Sequence, residues 1–226
     1  MSLYFCGDTH QDVDLHKLAS ERFPAKGLTK EDFVLICGDC GAVWDGGGTD
    51  RYLQKWYDKK PWTTLFIDGN HENFDLLERY PVSEWNGGKV RFITDSLIWL
   101  MRGEIYTIDG KTVFTMGGAS SHDKEYRKEG RSWWARELPS EEELENARRN
   151  LQKVGDRVDY IVTHCASSAI QAIIKPAREK DLLTDFLSEL ESVEYEKWFF
   201  GHYHVDRDID GKHIALFDRI WKGVSE

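Results

Sequence analysis

In the first third of the chain, apolar and polar residues alternate between short runs of β-type spacing and longer stretches of helical spacing. The pattern predicts a strand over Leu3 to Cys6, a helix near Asp14 to Arg22 and a strand over Phe33 to Cys37. A helix near Thr49 to Lys59, a strand over Thr63 to Ile67 and a helix near Asn73 to Tyr80 follow. Strand, helix, strand at this spacing implies parallel βαβ units. From Val90 to Gly117 the pattern becomes strand after strand, with Asp109-Gly110 as a hairpin turn between Glu104 to Ile108 and Thr112 to Met116. An antiparallel or mixed region is therefore expected there.

Further along, Ser140 and Glu143 have the spacing of a capping box, and Leu144, Ala147, Leu151 and Val154 supply one apolar helix face before Gly155. Val158 to Thr163 reads as a strand, Ala177 to Leu190 as a helix and Trp198 to Phe200 as another strand, with a last hairpin turning at Asp210-Gly211. The whole predicts an α/β layered sandwich. No repeat or Pro/Gly/Ser-rich linker divides it, so a single domain over residues 1 to 226 is expected.

Composition sets limits on this picture. With 226 residues, 40% hydrophobic, the chain can bury about 70% of its unfolded surface, so neither disulfides nor metals are needed merely to keep it folded. Metal-capable residues are thus read for their chemistry. Against 40 Asp and Glu stand only 30 Lys and Arg, and a net charge of −10 disfavours binding to long duplex nucleic acid. No apolar run is longer than that of Leu97 to Met101, far shorter than a membrane span, and the N-terminus has no pattern of a signal peptide. A cytoplasmic protein with no membrane partner is expected. Cys6, Cys37, Cys40 and Cys165 then read as free thiols, although Cys37 and Cys40 leave a redox pair or a structural zinc site with histidines as a further reading.

The metal-capable residues fall just past strand ends. Gly7-Asp8-Thr9-His10 follows the first strand, Gly38-Asp39 the second and Gly69-Asn70-His71-Glu72 the third. Later strands deliver His164 and Gly201-His202-Tyr203-His204. Ligand sites of open α/β sheets form beyond the carboxyl ends of the parallel strands, so these distant segments can meet in one crevice. In an extended backbone, Asp8 and His10 point to the same side, as do His202 and His204. Adding Asp39, Asn70 and His164 makes seven oxygen or nitrogen ligands, too many for one tetrahedral site. Their mixed chemistry suits a pair of Mn, Fe or Zn ions better than Ca, with Mn favoured.

In this order the blocks resemble the calcineurin-like metallophosphoesterase superfamily, and the likeness extends from residue 7 to residue 204. The resemblance implies a four-layer αββα sandwich of two mixed sheets with a dinuclear metal centre at their ends. It implies one ion on Asp8, His10 and His204, the other on Asn70, His164 and His202, and Asp39 as the bridge. Two such ions would lower the pKa of a shared water and clamp a phosphoryl group for in-line attack. His71, which matches a family position off the metal, would act as general acid on the leaving oxygen or steady its charge. Asp68 and Glu72 are candidates to orient its ring, with solvated loop charges as the alternative. A small phosphomonoester or phosphodiester is the implied substrate.

Departures from the pattern narrow that substrate. Protein Ser/Thr phosphatases similar to calcineurin carry phosphate-gripping arginines in the second and third blocks. Here the second block runs Gly38-Asp39-Cys40-Gly41-Ala42-Val43-Trp44, and Asp68 takes the arginine's place before Asn70. A protein phosphatase or diadenosine polyphosphatase of that subtype is disfavoured. Arg127 or His122, in the stretch Gly117 to Arg127, is expected to reach the substrate phosphate instead. Trp44, Trp133 and Trp134 read first as packing residues. Two alternatives are a scaffold of the same fold with a decayed site, and a nuclease for short or single-stranded nucleic acid.

Overall fold

A computed structural model describes residues 1–23, 25–175 and 180–223. The first sheet has the order β13-β1-β2-β3-β6-β5-β4. Its strands are β1 (Leu3–Cys6), β2 (Phe33–Ile36), β3 (Thr63–Phe66), β4 (Val82–Trp85), β5 (Gly88–Thr94), β6 (Leu97–Leu100) and, from the far end of the chain, β13 (Trp221–Lys222). The second sheet runs β11-β12-β10-β9-β8-β7. It consists of β7 (Glu104–Ile108), β8 (Lys111–Met116), β9 (Tyr160–Thr163), β10 (Lys197–Phe200), β11 (Arg207–Asp208) and β12 (His213–Ala215). Each sheet has a parallel centre and antiparallel edges, so both are mixed.

Alternation along the strands builds the layers. Leu3, Phe5, Leu35 and Leu65 face Tyr160, Val162, Phe199 and Ile214 between the sheets, where Phe5 stacks on Phe199 with ring centroids 4.0 Å apart. The opposite faces are covered by helices. Cys6, Val34 and Ile36 pack with Leu53 and Tyr57 of α1 (Gly48–Asp58). Phe114, Ile161, Trp198 and Phe200 pack under α3 (Glu141–Lys153), α4 (Ser168–Ile174) and α5 (Leu182–Glu189). The result is the four-layer αββα sandwich. The expected capping box closes α3, with Ser140 accepting from Glu143 N. Asp109 and Gly110, at φ 54° and 75°, turn the β7–β8 hairpin with the left-handed pair its two-residue loop requires.

Several elements differ from the pattern. The helix expected near Asp14 to Arg22 is only a 3-10 turn, Leu15–Leu18, because Lys17 turns inward and is 1% exposed instead of lining a solvated face. The helix expected from Asn73 to Tyr80 is the short α2 (Phe74–Leu77), capped by Asn73. Pro81 stands shortly after it and disfavours helical backbone at Tyr80. The start of the helix expected from Ala177 falls partly outside the described residues, and α5 begins at Leu182 behind an Asp181 cap. β4, β13 and α4 were not expected, although Asn86-Gly87, at φ 49° and 96°, turns the β4–β5 hairpin and Ser167 caps α4. Among the described residues no helix is long and apolar enough to cross a membrane.

One titratable cluster lies away from the strand ends. His213, 5% exposed, bonds Asp210 Oδ2 at 2.8 Å through Nδ1 and faces Tyr195 Oη at 2.9 Å and Glu191 Oε2 at 3.3 Å through Nε2. Burial opposes a charge on the ring, but Glu191 and Asp210 outweigh it and raise the imidazole above its ordinary range. A raised folded-state pKa stabilises fully below the unfolded value of about 6.5 and is lost as pH rises through the folded value. His213→Gln is therefore expected to cost on the order of 1 kcal/mol at pH 6 and much less at pH 9.5. Urea unfolding at the two pH values reads the difference, and an equal cost at both would contradict a charged ring.

Candidate metal centre

The loops after β1, β2, β3, β9 and β10 all open at the same end of the sandwich and bring their polar residues together. Asp8, Asp39 and His164 are at most 1% exposed, and Asn70 is 4% exposed. His204 Nε2 lies 3.2 Å from Asp8 Oδ2, and His10 Nε2 lies 3.9 Å from that oxygen and 3.3 Å from Asp39 Oδ2. His164 Nε2 lies 3.4 Å from Asp39 Oδ2 and 3.2 Å from Asn70 Oδ1. Asp39 thus stands between the two halves. His202 bonds the Asp8 carboxylate through its backbone N–H, at 3.0 Å to Oδ1, and packs its ring against that of His164 with centroids 5.0 Å apart.

The backbone that achieves this is not extended. His10, Asp39, His202 and His204 have φ of 42°, 50°, 67° and 50°, the left-handed region that costs a non-glycine residue energy and clusters at functional sites. The same-side argument for Asp8 and His10, and for His202 and His204, therefore does not describe the loops. His204 joins Asp8 and His10, whereas His202 packs beside His164. Close approach decides two neighbouring glycines. A Cβ on Gly201 would lie 2.0 Å from Asp8 Oδ1, and one on Gly69 would lie 2.0 Å from Asp39 Oδ1.

Hydrogen bonds on the far ring nitrogens set how the imidazoles face the centre. His10 Nδ1 meets Asp14 Oδ2 at 2.8 Å, and His164 Nδ1 meets the Cys37 carbonyl at 2.8 Å, so both present Nε2 inward. Burial would raise both carboxylates, but His164 and its imidazole neighbours outweigh it and hold Asp8 low and Asp39 well below the usual range. In return Asp39 and Asp8 overcome burial and push His164 up to about 10. Two buried anions here require positive charge among them. Divalent cations would supply it and leave the imidazoles neutral, as ligands must be. Three groups, Asp8 with His10 and His204, Asp8 with Asp39 and His164, and His10 with Asp39 and His71, each bring their ligating atoms within 4.8 Å of one another. The donor set fits metal ions.

His71 sits at the edge of this cluster. Its backbone N–H donates to Asp39 Oδ1 at 2.7 Å, and Arg127 Nη1 lies 3.3 Å from its ring Nδ1. A guanidinium can only donate, so in this contact Nδ1 accepts and the ring hydrogen sits on Nε2. Burial lowers the His71 pKa, and the pull of Asp39 does not restore it against Arg127 and the neighbouring imidazoles. Arg127 is itself held by Asp123, 2.8 Å from Nε, and by the Ser132 carbonyl. His122 stands on the other rim, its ring 5.9 Å from that of His202 and its Nε2 3.2 Å from Lys175 Nζ.

Asp68 and Glu72 are not solvated loop charges, since both are 0% exposed, and neither is bonded to the His71 ring. Glu72 Oε1 accepts the Cys40 N–H at 2.8 Å. Asp68 Oδ2 takes Arg102 Nε and Nη2 at 2.9 and 2.6 Å, and its Oδ1 takes Trp99 Nε1 at 3.1 Å. The aspartate that replaces the arginine before Asn70 thus has its own buried arginine, which no local spacing betrays. Asp14, four residues past His10, was the one outer partner with a readable signal. The three tryptophans pack: Trp44 meets Trp134 edge-on at 5.7 Å, and Lys124 lies over Trp133.

Residues 1–206 match the family model for calcineurin-like phosphoesterases. The chain belongs to that family. No curated protein matches it individually. For a calcineurin-like phosphoesterase the zinc reading of Cys37 and Cys40 has little left to support it. All four cysteines are free and buried, and burial raises Cys6 to about 12 and moves Cys37 and Cys40 upward as well. Among the described residues no cysteine enters the ligand groups.

Proposed function

We propose that this calcineurin-like phosphoesterase hydrolyses a small phosphate ester at a centre of two divalent metal ions, with Mn the favoured metal. The observation that carries this reading is the position of Asp39, whose Oδ2 lies 3.3 Å from His10 Nε2 and 3.4 Å from His164 Nε2, between two sets of inward-facing donors. Asp8, His10 and His204 would hold one ion, Asn70, His164 and His202 the other, and Asp39 would bridge. When bound, such ions polarise phosphoryl oxygens and acidify water.

The protein's own residues provide the rest. Arg127 fixes the His71 ring by donating to Nδ1, which leaves the Nε2–H to hydrogen-bond the leaving oxygen as negative charge builds there. Of the two roles expected for His71, a neutral ring favours steadying that charge over delivering a proton from an imidazolium. Arg127 and His122, on opposite rims, take the place of the missing phosphate arginines. The negative net charge favours a small substrate over long duplexes.

Phosphomonoesters, linear and cyclic diesters and nucleotides, assayed with Mn²⁺, Fe²⁺, Zn²⁺ and Mg²⁺, test the reading. At least one is expected to be cleaved, with two ions bound per chain, and Asp39→Asn is expected to lose metal and activity together. No cleavage of any compound by metal-loaded protein would sink the enzyme and leave the scaffold.

A further inference from the structure

The ligand His204 is half exposed, at 50%, and a side chain so open to solvent needs something to hold it in place. Its ring lies flat on Phe217, with centroids 4.7 Å apart and planes 15° apart. Phe217 stands in the loop after β12, beyond residue 206, where the family match ends. That loop is tied down twice. Asp206 accepts the N–H groups of Phe217, Asp218 and Arg219 at 2.8, 3.1 and 3.0 Å. From below, the buried Lys17 donates to the Phe217 carbonyl and, at 2.6 Å, to the Asp8 carbonyl, with its ammonium 4.3 Å from the centre of the Phe217 ring.

We infer that Phe217 and Lys17 form a positioning unit for the first ion, one that holds His204 and Asp8 in register with each other. A buried ammonium is costly unless its protons are satisfied, and here they are spent on two carbonyls from opposite ends of the chain. One carbonyl belongs to a metal ligand, and the other belongs to the residue on which a second ligand rests. The unit therefore couples the Asp8 loop to the His204 loop, and it brings the segment after residue 206 into the metal centre. Neither residue touches substrate, so both act through the ligands. The inference rests on the two-ion reading above.

Outer partners of metal ligands are typically worth tenfold to a hundredfold in affinity. Phe217→Ala is expected to weaken one of two Mn²⁺ binding steps by that factor in chelator competition, to leave the other step unchanged, and to be rescued by Phe217→Tyr. Lys17→Met is expected to weaken the same step. In metal-free protein the His204 ring protons are expected upfield in the wild type, under the Phe217 ring current, and to return to solvent-like shifts in Phe217→Ala. Two unchanged binding steps in Phe217→Ala, or an equal loss at both alongside a lower unfolding midpoint, would overturn the inference. Failure of the two-ion reading would look different, because the wild type itself would take up fewer than two ions.

Discussion

His71→Ala is expected to lose between about 10² and 10³ in turnover, the usual worth of a hydrogen-bond donor aimed at developing negative charge, while still binding two metal ions. The ring hydrogen on Nε2 is the group removed, and Arg127 is left without its imidazole acceptor. Metal binding should survive because the carboxylates, Asn70 and the other four imidazoles of the cluster remain. The measurement is kcat on the best substrate with metal content determined on the same sample. The structure sharpens the alternative outcome, since His71 also stands within ligating reach of His10 and Asp39. Loss of an ion in step with the loss of activity would make His71 a ligand and end its role at the leaving oxygen. Slow substrates with poor leaving groups should suffer most, because there the developing charge is greatest.

The second large effect is expected on stability. Arg102 is 5% exposed and Asp68 fully buried, and their ion pair also ties in the carbonyls of Arg136 and Glu137 at 2.7 and 3.2 Å. Removing one partner of a buried pair strands the other charge, so Arg102→Met should cost about 3–5 kcal/mol in urea unfolding. Replacing both, Asp68→Asn with Arg102→Met, should recover a large part, because a buried amide costs less than a buried unpaired carboxylate. A single variant within about 1 kcal/mol of the wild type would show that the pair is not what secures this end of β3. Activity should fall with Arg102→Met as well, since Asp68 is two residues before Asn70 and its carbonyl accepts the Gly118 N–H at 2.9 Å. The pair thus stands behind both Asn70, the proposed ligand, and the start of the loop that carries Arg127.

The sequence by itself determined the α/β class of the fold and the location of the chemistry. Strands such as Leu3 to Cys6 are apolar on both faces and need cover on both sides, which makes the fold a layered α/β sandwich, whereas the pairing of two sheets into four layers was implied only by the family resemblance and is decided by the tertiary structure. Helix caps at Ser140 and turns at Asp109-Gly110 were legible because they depend on residues within a few positions of one another. The polar residues past the strand ends were legible because the carboxyl ends of parallel strands share one edge. Interactions between residues far apart in the chain were decided only by the tertiary structure. Lys17 is drawn out of a predicted helix face by carbonyls at residues 8 and 217, and Asp68 finds Arg102 across another strand. The left-handed backbone of His10, Asp39, His202 and His204 belongs to the same class, because strain at one residue is maintained only by packing and hydrogen bonds from many others. Local spacing records what a residue can do, whereas burial and long-range partners, which arise only when the sheets close on each other, select which of those possibilities is used.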